Sequence, residues 1–98
     1  MTHWNLAICY RKLEQYENSA KNCAECWRLE LIESEASDPS VLQTVIRLIK
    51  DLIAAHKWTE ATIILQPIKN ELQTLNRSEK QELRFQTLLN LEKEIEQN

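Results

Sequence analysis

Cys23-Ala24-Glu25-Cys26 is the stretch of this sequence best spaced for chemistry. A Cys-x-x-Cys pair can offer two thiolates to a tetrahedral zinc ion, or close and open as a disulfide. Zinc needs about four ligands. Here Cys9 would have to approach across a helical hairpin and His3 supply the last ligand. The pair falls inside a helical pattern rather than on a zinc knuckle, so Cys9, Cys23 and Cys26 are expected as small apolar residues between helices, with no metal and no cofactor. A small thiol or metal protein built on those three cysteines is an alternative.

Other groups with chemical potential are isolated. A histidine can act as a base, but no serine, cysteine or acid motif accompanies His56. Glu92, Glu94 and Glu96 lack the loop and glycine turn of a calcium site and read as solvated helix surface. The chain has no glycine at all. Phosphate-cradling loops, nucleophile elbows and dinucleotide fingerprints need glycine for positive φ or close backbone approach, so these enzyme classes drop out together. No enzyme activity is expected.

The bulk numbers narrow the class further. Ninety-eight residues hold material for one core and one domain. A formal charge of -3 argues against a nucleic-acid binder, which shows a basic face or stripe. No apolar run approaches the ~18 residues of a membrane span, and no leader pattern opens the chain. An odd number of irregularly spaced cysteines fits a reducing compartment. A cytoplasmic protein with no membrane or nucleic-acid partner is expected.

These side chains must be positioned by helices. Leu6, Ala7, Cys9, Tyr10 and Leu13 recur at helical spacing, as do Tyr16, Ala20, Cys23, Ala24, Trp27 and Leu31. The spacing predicts one helix to about residue 13 and a second from about 16 to 34. Asp38-Pro39 signals a third start, with Asp38 as the cap or Ser40-x-x-Gln43 as a capping box. The stripe from Val45 to Ala55 predicts that this helix is the most buried. After His56-Lys57, a fourth helix runs from Thr59 to about Leu75, with a kink expected near Leu65 because of Pro67. Ser78-x-x-Gln81 opens a fifth, with Phe85, Leu88, Leu91 and Ile95 on one face.

The two halves match at an offset of 42: Leu6 with Leu48, Tyr10 with Leu52, Tyr16 with Trp58, Ser19 with Ala61, Cys23 with Leu65 and Cys26 with Ile68. Leu6-Ala7-x-x-Tyr10, followed by Tyr16 and the small residues Ser19 and Cys26, resembles a tetratricopeptide repeat; Leu48, Leu52, Trp58 and Ala61 carry the second copy. Trp4 stands one residue from the usual tryptophan place, Ile49 fills a small-residue place, and Glu14 and His56 stand where glycine is usual. The resemblance implies an all-α, right-handed solenoid of five helices: two hairpins, about 2–36 and 39–76, and a capping helix at about 78–97. It also implies a groove that binds a peptide.

In that arrangement Arg11, Lys12, Arg47 and Lys50 line the groove, and a basic groove on an acidic protein suits an acidic segment or a C-terminal carboxylate. Trp4 and Trp27 are candidate exposed apolar contacts. The expected function is a protein-binding scaffold or assembly adaptor. The structural alternative is a helical homodimer.

Overall fold

The computed structural model describes the backbone of residues 2–97 and the side chains of residues 14–97. The described residues contain no strand and form α1 (Thr2–Glu33), α2 (Pro39–Ala54), α3 (Trp58–Thr74) and α4 (Glu79–Glu96). Local chemistry explains the ends of the last three. The Asp38 carboxylate accepts from the Ser40 amide at 2.9 Å and the Ser40 hydroxyl at 2.7 Å. Pro39 occupies the first turn, where its missing N–H removes no helical bond. At α4 the capping box is complete: Ser78 Oγ accepts from the Gln81 amide at 3.3 Å, and Gln81 Oε1 accepts from the Ser78 amide at 2.9 Å.

Between α2 and α3 the chain closes tightly. The amides of His56 and Lys57 donate to the carbonyls of Ile53 at 3.0 Å and Leu52 at 2.8 Å. This Schellman closure requires a left-handed residue, and His56 supplies it at φ 61° in a chain without glycine. Its ring meets Trp58 edge-on, with centroids 5.7 Å apart.

The structure has four helices where the pattern predicts five, because the first two are one. Residues 13–16 are Leu-Glu-Gln-Tyr, with no glycine, proline or capping side chain, and Leu, Glu and Gln are strong helix formers. The expected break rested on apolar spacing that ends at Leu13 and resumes at Tyr16, with Glu14 at the place of the repeat's usual glycine; Glu14 supplies no left-handed residue like His56. The N-terminal third is therefore a 32-residue helix and not a hairpin. The repeat-paired positions differ in burial too. Leu65 and Ile68 are buried, whereas Cys23 is half-buried and Cys26, expected between helices, is exposed. With no hairpin in the first half, there is no second helix to cover that side of α1 as the repeat pattern requires.

Packing centres on α2, which touches all three other helices, as its wide apolar stripe predicts. Leu42, Val45, Leu48 and Ile49 are almost fully buried there, and each such side chain contributes about 1.5–3 kcal/mol by leaving water. Leu65 and Leu72 of α3, and Phe85, Leu88 and Leu91 of α4, complete the core. α1 lies antiparallel to α2, with Ser19 beside Asp51 and Glu30 beside Thr44. At 1.5 Å per residue α1 is about twice as long as α2, so its first turns run past the end of α2. α3 continues as helix through Pro67.

α4 runs antiparallel to α3, where Glu92 accepts from both Lys69 and Gln66. It runs alongside α2 in the same direction, with Gln81 donating to the Ser37 carbonyl at 2.9 Å. Arg77 secures the α3–α4 corner by donating to the Leu72 carbonyl at 2.6 Å while lying 4.3 Å from the centre of the Phe85 ring.

Candidate functional site

Gln43, Arg47 and Lys50 recur along α2 on a polar side that no helix covers among the described residues. That side is the floor of a groove of about 710 Å³, with α1 forming one wall and α4 the other. α1 contributes Ser19, Asn22, Cys23, Cys26 and Glu30, while α4 contributes Arg84 and Thr87. The register spreads the charges out. Arg84 and Glu30 stand near the N-terminal end of α2, Arg47 in the middle, and Lys50 toward the other end. Residues 43 to 50 span about 10 Å of helix, the length of three extended peptide residues.

Hydrogen bonds between α1 and α2 hold the first wall in place. The Ser19 hydroxyl donates to Asp51 Oδ2 at 2.6 Å, and the Cys23 thiol lies 3.7 Å from the same oxygen. Thr44 Oγ1 donates to Glu30 Oε1 at 2.8 Å. Glu30 Oε2 is buried without a hydrogen-bond partner among the described residues. On the opposite wall, Arg84 donates to Gln43 Oε1 at 3.4 Å, a long contact that leaves most of its guanidinium donors available. Among the described residues, no ion pair ties Arg47, Lys50 or Arg84 to an acid.

Burial pushes the Cys23 thiol above its ordinary value, and the Asp51 carboxylate pushes it further; Arg47 opposes both. Cys23 is thereby kept as a protonated hydrogen-bond donor rather than a thiolate. Both Cys23 and Cys26 are free thiols. No cluster of three or more His, Cys, Asp or Glu side chains suited to a metal occurs among the described residues.

Of the residues picked out from the sequence, Arg47 and Lys50 come together in this groove. The side chains of Arg11, Lys12, Trp4, Cys9 and His3 lie outside the described residues. Trp27 is half-buried against the core, with its indole N–H buried and without a partner among the described residues. Arg84 joins the groove unforeseen. No pattern in the sequence singles it out, because its place beside Gln43 depends on how α4 packs along α2. No helix among the described residues is long and apolar enough to cross a membrane.

Set against models of protein families, curated proteins and solved structures, the chain finds no match.

Proposed function

With no relative to supply an activity, the groove itself is the premise, and we propose that the chain is a protein-interaction scaffold that holds a short acidic segment of a partner protein there. The observation that carries this reading is the convergence of Arg47, Lys50 and Arg84, unpaired with acids among the described residues, on one groove of a chain whose net charge is -3. Cations left without acids on an acidic protein repel one another and attract an anionic ligand. The amides of Asn22 and Gln43 and the hydroxyl of Thr87 add uncharged hydrogen-bonding groups for the segment's backbone.

The tetratricopeptide resemblance fits part of this architecture. The α2–α3 hairpin, followed by α4 running parallel to α2, supports a repeat-type reading of the C-terminal two thirds, and the continuous α1 departs from it. A right-handed solenoid remains a proposal for this chain. The adaptor role needs only the groove.

A fluorescent glutamate-rich peptide, followed by anisotropy, tests the reading. Binding that weakens with salt and falls at least about tenfold in the double variant Arg47→Glu, Lys50→Glu, with the helical circular dichroism unchanged, is the expected outcome. Equal affinity in the variant, or no binding by the unaltered protein, sinks it.

A further inference from the structure

We propose that the chain also pairs with a second copy of itself, through an apolar groove on the other side of α2. Among the described residues α1 and α3 both pack on α2 but not on each other, which leaves a slot of about 430 Å³ between them. Leu48 and Leu52 of α2 lie at its floor. Ala20 and Ala24 make the α1 wall, and side chains this small leave room for an incoming residue. The α3 wall carries Ile64 and Ile63, and Ile63 is 66% exposed.

One surface thus bears both an apolar knob and an apolar hole. Such a surface is self-complementary under a two-fold axis, where Ile63 of each copy enters the groove of the other. The charges agree with this occupant. The rim carries two acids, Glu17 and Glu60, and two lysines, Lys21 and Lys57, so it is neutral although the whole chain is at -3. A neutral mixed rim can face its own copy with acid against lysine, and it offers no net attraction to a strongly charged partner. The cationic groove has the opposite property: its Arg47, Lys50 and Arg84 would repel the same residues of a second copy. The two grooves on either side of α2 therefore take different occupants.

Sedimentation equilibrium of the full chain from micromolar to submillimolar concentration is the test. The unaltered protein moves from its monomer mass of 11.6 kDa to twice that value. Ile63→Asp, at an exposed position, weakens association at least about 30-fold, as expected for a buried contact residue. Lys21→Glu unbalances the rim and weakens it as well, and adding Glu60→Lys restores pairing, which keeps the test independent of how well Ile63→Asp folds. Arg47→Glu with Lys50→Glu leaves pairing unchanged, separating this surface from the peptide groove. A protein that stays monomeric at all concentrations overturns the proposal. Pairing indifferent to Ile63→Asp and Lys21→Glu overturns it too, as does pairing abolished by the Arg47 and Lys50 reversals.

Discussion

Asp51 joins the docking of α1 to the chemistry of the groove, so its replacement should change two observables at once. Its Oδ2 accepts from Ser19 at 2.6 Å and faces the Cys23 thiol at 3.7 Å. A hydrogen bond to a charged acceptor contributes about 1.5–3 kcal/mol, and this part-buried one belongs at the lower end. Asp51→Ala, which also leaves the Ser19 hydroxyl without its partner, should cost about 1.5 kcal/mol. For a domain of this size that lowers Tm by about 6–12 °C. Asp51→Asn keeps an acceptor for Ser19 and should cost less, about 0.5 kcal/mol. It removes the negative charge that helps hold the Cys23 thiol high, while burial, the larger cause, stays. Alkylation of Cys23 by iodoacetamide at pH 8 should then be faster in Asp51→Asn than in the parent. Peptide mapping by mass spectrometry in a Cys26→Ala background follows Cys23 separately, because Cys23 and Cys26 otherwise share one tryptic fragment. An Asp51→Ala protein melting within about 2 °C of the parent, or a Cys23 rate unmoved by Asp51→Asn, would refute the role assigned to this carboxylate.

Two further predictions concern the body of the fold. The Lys69 ammonium, followed by the Gln66 amide, holds the Glu92 carboxyl below its ordinary value of 4.5. A depressed carboxyl contributes stability that is present above 4.5 and lost as pH falls through the folded value, so the stability gap between the parent and Glu92→Gln, read by urea unfolding, should be widest near pH 7 and narrow below 4.5. Leu88 is completely buried among α2, α3 and α4, so Leu88→Ala should cost about 2.5–5 kcal/mol; a loss under about 1 kcal/mol would mean that this position is not core.

Legibility varied along the chain for local reasons. The helices from Pro39 onward carry their own punctuation: Asp38-Pro39, His56-Lys57 and the Ser78–Gln81 box all act within a few residues, and each ends or starts a helix where the sequence reading puts it. Residues 13–16 carry no such signal. There the apolar spacing suggested a break, and helix propensity prevailed over it. The repeat match made Cys26 an inward position, whereas the structure leaves it exposed on the groove wall.

The groove was legible by halves. Arg47 and Lys50 stand out in the sequence because the apolar stripe of α2 leaves them on its polar edge, and periodicity alone places them there. Arg84 does not, because its approach depends on α4 crossing back to lie beside α2, a contact between residues about 40 positions apart. So the sequence by itself determined helical class, most helix ends, the wide apolar stripe of α2 and the polar edge that carries Arg47 and Lys50, all of which depend on interactions within a few turns. Only the tertiary structure decided that Arg84 joins the cationic groove and that α1 and α3, among the described residues, stand apart with Ile63 at their gap. These follow from which helices share a neighbour, and no local pattern encodes that choice.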